Sequence, residues 1–525
     1  MSLQRVVLTC HNHTLSAGSE AGGATAIDND FSEPDDQGGE LINSPGDSHY
    51  VSHYPLERVL EKCGGAKGIR TPDLLHAMQT RYQLRHSPAT HQDTPSERPV
   101  WWNVDSLQGP GPCVVLDHHD IAASFADPAA AVIGQPVAPT VSLIPVSTGS
   151  QPDPHLATPT GKPRARAVGL KYRGTPGPHN AITDVPGLEV GCTTLIEEDS
   201  VRTGVTAIHP RGKHNPGDPL AAGFFSLNGN GEMTGVTWIE ESGTMQGPVA
   251  ITNTHAVGIA HAGIIAWMNQ FHPELTDVWL LPVAAETWDG YLNDINGHHV
   301  NEEHVIQALQ DASSDQPDEG SVGGGTGMNC YQFKGGNGTA SRLVEYAGAT
   351  YTVGVFLQAN FGRRDDLTLN GIYLGEALAE DNPMSGKPRQ APPGAGSVIV
   401  VVATDAPLFP SQCKAMARRV SLGLARTGTT GSHSSGDIFL ALSTANPGGF
   451  TSGDPMGGGA EGYDSLTFIP WGKINPFFEA VVQATEEAVA NALIANEDMT
   501  GRGGHRSPAL PRDLLREVLS GANRG

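Results

Sequence analysis

Charge is scarce in this sequence and leans one way: 17% of the 525 residues are charged, 32 basic against 56 acidic, for a formal net charge of −24. An acidic surface repels a phosphate backbone, which argues against nucleic acid or an anionic membrane as the main partner and leaves small neutral or cationic ligands open. Cysteine is scarce too. Cys10, Cys63, Cys113, Cys192, Cys330 and Cys413 lie far apart and form no CxxC pair, so neither a zinc knuckle nor a disulfide scaffold is indicated. A reducing, cytoplasmic compartment is the simpler reading. No apolar run is long enough to span a bilayer, and the opening 16 residues hold too short an apolar stretch for a signal peptide. In excess are 65 glycines and 39 prolines, which imply many tight turns. The length suits two or three domains, or one large layered domain with an appendage.

Up to about residue 165 the sequence mixes His, Pro, Gly and acidic residues with no sustained period, and residues 1–165 are expected to be disordered. Within them, 64–88 (GGAKGIRTPDLLHAMQTRYQLRHSP) resembles the conceptual translation of a tRNA gene, which would place the natural start downstream. The alternative is an unstructured extension, or a short helix around 73–84. Past Ala165 regular patterns begin. Apolar runs at 223–227 and 233–239 flank Asn228-Gly229-Asn230-Gly231, a hairpin signal because Asn and Gly tolerate positive φ. Runs at 278–285 and 351–360 read as strands, the second rich in β-branched residues. Helices are expected over 255–269, over 301–312 behind a capping Asn301, over 411–426, and over 475–496. Mixed strands and helices predict a layered α/β or α+β domain with a large core.

Residues 381–396 (DNPMSGKPRQAPPGAG) read as an exposed linker, and 397–403 (SVIVVVA) as a strand buried on both faces. A loose tail therefore delivers a serine to the first position of a core strand. The Ser397 hydroxyl could attack the Gly396 carbonyl in an N→O acyl shift. Hydrolysis of the resulting ester would free Ser397 as a new N-terminus, setting a hydroxyl nucleophile beside an α-amine of ordinary pKa about 7.7–8.0 that can serve as base.

Several co-ordered motifs then resemble one family, the L-aminopeptidase/D-esterase family that includes the β-aminopeptidases. They are 180–191 (NAITDVPGLEVG), 202–210 (RTGVTAIHP), 251–258 (ITNTHAVG), 286–297 (ETWDGYLNDING), 321–327 (SVGGGTG), 358–362 (QANFG), 396–407 (GSVIVVVATDAP) and 435–446 (SGDIFLALSTAN). The resemblance implies a four-layer αββα sandwich like that of N-terminal-nucleophile hydrolases with different strand connectivity. It also implies a precursor that cuts itself into an α chain, 166–396, and a β chain, 397–525, which assemble further. Carried over by position, it makes Gly396-Ser397 the processing bond and Ser397 the nucleophile. Ser435 and Asp437 match the polar pair that contacts the nucleophile, although some relatives carry Glu where this chain has Asp437. Asn360 matches an oxyanion-stabilising amide and Tyr291 a phenol at the site. Without the resemblance, a lone Asn ending a strand is a turn former and a lone Tyr half-buried core. Glu286 and Asp289, by charge and proximity alone, could pair with a substrate ammonium, against the stronger reading of a solvated face.

Other signals are weaker. Gly323-Gly324-Gly325-Thr326-Gly327 lacks the Lys-Ser/Thr of a phosphate loop and reads as backbone packing. His255 and His261 are too far apart for a helical metal pair, and Glu240 and Glu241 point apart if they sit on a strand. His433, read as lying on a strand with Ser435 and Asp437, is too close to them in sequence for a triad. The sequence thus predicts a self-processing aminopeptidase, amidase or esterase acting on short peptides, amides or esters, with no metal or organic cofactor. Two rivals stand beside it: an acyltransferase on a related self-cleaving fold, whose cut usually exposes threonine, and a non-catalytic ligand-binding module.

Overall fold

The apolar run after Gly396 alternates between two cores, and the architecture follows from that alternation. In a computed structural model, describing residues 4–9, 14–19, 102–103, 152–276, 279–385, 396–450 and 463–522, Ile399, Val401 and Ala403 face one apolar cluster while Val398, Val400 and Val402 face another. A strand whose two sides are both buried must lie inside a stack of layers.

The strands of the two main sheets are β1 (Glu189–Glu197), β2 (Val201–His209), β3 (Leu220–Ser226), β4 (Thr244–Met245), β5 (Val249–Asn253), β6 (Val283–Thr287), β7 (Gly336–Tyr346), β8 (Ala349–Asn360), β9 (Gly396–Thr404) and β10 (Ser435–Ser443). The α-helices are α1 (Val236–Ser242), α2 (Val257–Phe271), α3 (Glu302–Gln310), α4 (Pro410–Ala425), α5 (Asn475–Ile494) and α6 (Arg512–Ala522). One sheet runs β7-β8-β9-β10-β3-β4 and the other β1-β2-β5-β6. Ile399, Val401, Ile438 and Leu440 of the first sheet meet Ile208, Val249, Ile251 and Ala285 of the second. Helices α4 and α5 cover the outer face of the six-stranded sheet, and α2 and α3 that of the four-stranded sheet. The order of layers is αββα, an α+β sandwich as expected.

Most elements fall where their patterns put them. Asn301 caps α3, accepting from the His304 amide at 3.0 Å, and Met416, Ala417, Val420 and Leu424 are buried along α4. The strand expected at 278–285 is β6, placed further along. The hairpin expected at 223–239 is not formed. After β3 the chain leaves the six-stranded sheet, bridges Ala285 of β6 through Met233 and turns into α1. Asn228 and Asn230 spend their hydrogen bonds on β10 instead of on a returning strand.

The chain divides into two compact units, 1–149 and 150–525. Of the first, the described part is an antiparallel sheet of Gln4–Thr9, Thr14–Ser19 and Trp102–Asn103, where no ordered element was expected; the helix considered at 73–84 lies outside the described residues. The second unit begins before the change in composition at Ala165. Arg164 is fully buried, ion-paired to Glu319 at 2.7 Å and donating to the carbonyls of Asn180 and Thr339, each at 2.8 Å. Together with Lys162 and Thr160 on Asp318 and Gln316 on the Pro154 and Ala157 carbonyls, this arginine ties down the polar stretch without an apolar period, so periodicity could not find it. Removing either partner of such a buried pair typically costs about 3–5 kcal/mol.

Candidate active site

The site forms where β8, β9 and β10 lie side by side. Ser397 is opposite Asn360 in the antiparallel β8–β9 register and opposite Gly436 in the parallel β9–β10 register. Paired residues project to the same face of a sheet, so Ser397 and Asn360 both point toward the second sheet, on the side of Ile399 and Phe356. Ser397 is 3% exposed, and its hydroxyl donates to the Gly396 carbonyl at 2.6 Å. The hydroxyl oxygen thus lies against the peptide unit that joins Gly396 to Ser397.

Asn360 is braced at both ends of its amide. Its Oδ1 accepts from the Asn329 backbone amide at 2.9 Å, and its Nδ2 donates to the Trp288 carbonyl at 2.8 Å, which fixes which end is the donor. One N–H of the amide remains for a second acceptor. Three residues beyond Trp288, Tyr291 stacks on His505 with ring centroids 4.7 Å apart, and its hydroxyl donates to the Arg506 carbonyl at 3.2 Å. Partial burial raises the Tyr291 pKa.

Ser435 and Asp437 form a tight pair: the Ser435 hydroxyl donates to Asp437 Oδ1 at 2.6 Å. By the same alternation they share the side of Phe439, the face opposite the Ser397 side chain. They therefore lie toward the backbone of β9, on the side away from the Ser397 hydroxyl. Burial raises the Asp437 pKa, opposed by hydrogen bonds from Ser435, Asn228 and the Val398 amide. The Val398 amide is one residue from the Gly396–Ser397 peptide bond.

Gly436 has to be glycine. A Cβ there would sit 2.5 Å from the Asn230 carbonyl oxygen and 2.6 Å from Gly231 Cα. Beyond Gly231 lies Glu286, which accepts from the Glu232 amide at 2.9 Å and from the Thr254 hydroxyl. Asp289 accepts twice from Asn293 Nδ2 at 3.1 Å. Glu286 is 1% and Asp289 0% exposed, so the solvated-face reading fails for both.

Burial raises the Asp289 pKa from 3.8 to about 7, outweighing hydrogen bonds from Thr203 and Asn293. The folded chain then binds more protons than the unfolded chain between these values, so Asp289 lowers stability progressively as pH rises through that window. Asp289→Asn keeps an acceptor and removes the charge. Its melting temperature is expected to match that of the parent near pH 4 and to exceed it by roughly 5 °C at pH 8. Thermal melts across this range check the prediction; a difference that does not change with pH contradicts it.

Residues 180–507 match the sequence model of peptidase family S58. The chain belongs to this family. It is 46% identical over 373 residues to the β-peptidyl aminopeptidase BapA of Sphingosinicella microcystinivorans, covering 68% of this chain and 92% of the relative. The corresponding protein of Sphingosinicella xenopeptidilytica is 43% identical over 376 residues, covering 68% and 91%. Among solved structures, the L-aminopeptidase D-Ala-esterase/amidase of Ochrobactrum anthropi, described as a variant of the Ntn-hydrolase fold, is 44% identical with a TM-score of 0.64 over 69% of this chain and 99% of that one. A β-aminopeptidase of Burkholderia sp. gives 42%, 0.62, 68% and 98%. The S58 chain thus has the Ntn-hydrolase type of sandwich.

Several residues that build this S58 site carried no signal of their own. Asn228 bonds Asp437 at 2.8 Å, yet the Asn-Gly repeat reads as a turn. His505, Trp288 and Thr254 act through stacking, a carbonyl and a hydroxyl, none of which has a sequence signature. Of the weaker signals, the glycine run is backbone packing: Gly323 and Gly324 donate to the Thr194 and Thr206 hydroxyls at 2.8 and 3.1 Å. Glu240 lies on α1, paired with Lys414, and not on a strand. His433 is an exposed turn residue ahead of β10, so the shared strand face considered for it does not exist. Among the described residues no group of His, Cys, Asp and Glu is arranged to hold a metal, and no helix is long and apolar enough to cross a membrane.

Proposed function

We propose that the chain cuts itself between Gly396 and Ser397 and then removes N-terminal residues from short peptides, amides or esters through an acyl-enzyme on Ser397. The observation that carries this is the Ser397 hydroxyl lying 2.6 Å from the Gly396 carbonyl oxygen at the start of a buried strand. In processing, Ser397 Oγ adds to the Gly396 carbonyl carbon, its proton passes to the departing Ser397 nitrogen, and water hydrolyses the ester. The products are a Gly396 carboxylate and a free Ser397 amine.

In the mature enzyme that amine takes the Ser397 proton as Oγ attacks the substrate carbonyl. The free N–H of Asn360 faces the developing oxyanion, with Tyr291 in the adjoining loop as a second donor once its hydroxyl turns from the Arg506 carbonyl to the substrate. The Ser435–Asp437 pair, aimed at the β9 backbone, orients the Ser397 nitrogen and tunes its basicity. The amine returns the proton to the leaving group, and water then repeats the sequence on the ester. Glu286 is the candidate for the substrate ammonium, because only the Gly231 backbone separates it from Gly436, the partner of Ser397. Asp289, closed off by Asn293, holds the 289–293 loop. The two product chains remain together as a heterodimer that assembles into a higher oligomer, in the cytoplasm.

Edman sequencing of the smaller chain of purified protein tests the proposal. Ser397 is expected in the first cycle; a fully active, uncut chain overturns the mechanism.

A further inference from the structure

Asn228 takes no part in the chemistry above, yet its loop meets the site at both ends. Its Oδ1 accepts from the Asp437 backbone amide at 2.6 Å, while its Nδ2 donates to Asp437 Oδ2 at 2.8 Å and to the Ser432 carbonyl at 2.9 Å. The neighbouring backbone continues the grip, with Leu227 donating to the Asp437 carbonyl at 2.9 Å and Asn230 to that of Ser435 at 3.1 Å. Four residues beyond Asn228, the Glu232 amide holds Glu286 at 2.9 Å. Position 228 needs an acceptor for an N–H and a donor for a carboxylate at once, and a side-chain amide supplies both. With Asp437 Oδ1 taken by Ser435 and Oδ2 by Asn228, the carboxylate has no rotational freedom left.

We infer that Asn228 is a positioning residue: by holding Asp437 through both its main chain and its carboxylate, it fixes the direction in which the Ser435–Asp437 pair faces the Ser397 nitrogen. The inference rests on the reading of that pair as partners of the nitrogen. Asn228→Ala leaves the carboxylate with one side-chain donor fewer and free to rotate. Asn228→Asp keeps the acceptor for the Asp437 amide but sets carboxylate against carboxylate.

The test uses the full chain carrying Asn228→Ala, Asn228→Asp or Asp437→Asn. Self-cleavage is followed on gels, and kcat and KM on an aminoacyl nitroanilide between pH 5 and 10. For Asn228→Ala, processing rate and kcat are expected to fall roughly 10- to 100-fold with KM within about threefold. The acid limb of the kcat profile, set by the Ser397 amine, moves down by up to about one pH unit, since a carboxylate that turns away or takes up a proton stabilises the ammonium less. Asn228→Asp is expected to lose more at pH 8 than at pH 6, a comparison that stands even if Asn228→Ala does not fold. An inactive Asp437→Asn beside an Asn228→Ala with parental kcat and an unmoved acid limb overturns the inference alone. An Asp437→Asn as active as the parent overturns the reading beneath it.

Discussion

Ser397→Ala is expected to accumulate as one uncut chain with aminopeptidase activity reduced by on the order of 10⁴-fold or more. The substitution removes a single oxygen whose hydrogen bond goes to the adjacent Gly396 carbonyl, so the sheet register and both cores stay as they are. Its melting temperature should therefore stay within a few degrees of that of the unprocessed parent, which separates chemical failure from misfolding. Both losses have the same origin: without Oγ no ester forms at Gly396, and without cleavage no α-amine appears beside the nucleophile. Ser397→Thr keeps a hydroxyl at the same branch point and is expected to cut, more slowly because the extra methyl has to fit a buried position. Gel electrophoresis with mass spectrometry of the fragments decides the matter. A Ser397→Ala chain that still breaks between residues 396 and 397 removes Ser397 from the processing step.

How much of this was legible beforehand depended on the kind of signal. The strand after Gly396 was readable because burial on both faces forces an almost unbroken apolar run, and that run singled out Ser397 before any fold was known. Helix α3 was readable from Asn301 and its acidic first turn. The 228–231 loop was misread because Asn-Gly encodes permission for positive φ and says nothing about what the side chain will bind; here it binds a strand 209 residues away. The stretch ending at Arg164 was missed for a related reason, since its order comes from a buried ion pair and further polar contacts and not from a period. The side on which Ser435 and Asp437 project was equally hidden. It follows from their parity against Phe439 in a parallel register that no local pattern encodes.

Asn360→Ala carries the second large expected effect, a fall in kcat of about 10²–10³-fold with KM within a fewfold, for esters and amides alike. Both substrate classes pass through the same oxyanion, so an interaction made only in the transition state is lost equally from both. The amide also braces the end of β8 between Trp288 and Asn329, and its removal should cost about 1–2 kcal/mol of stability. Assays well below the melting temperature keep that cost out of the rate. Asn360→Asp separates the two roles. Its carboxylate still accepts from the Asn329 amide but puts negative charge where the oxyanion forms and against the Trp288 carbonyl, so it should be at least as inactive as Asn360→Ala. Steady-state kinetics on one ester and one amide check this. A variant that matures normally and keeps kcat would reduce Asn360 to the brace, leaving Tyr291 and the backbone to meet the charge.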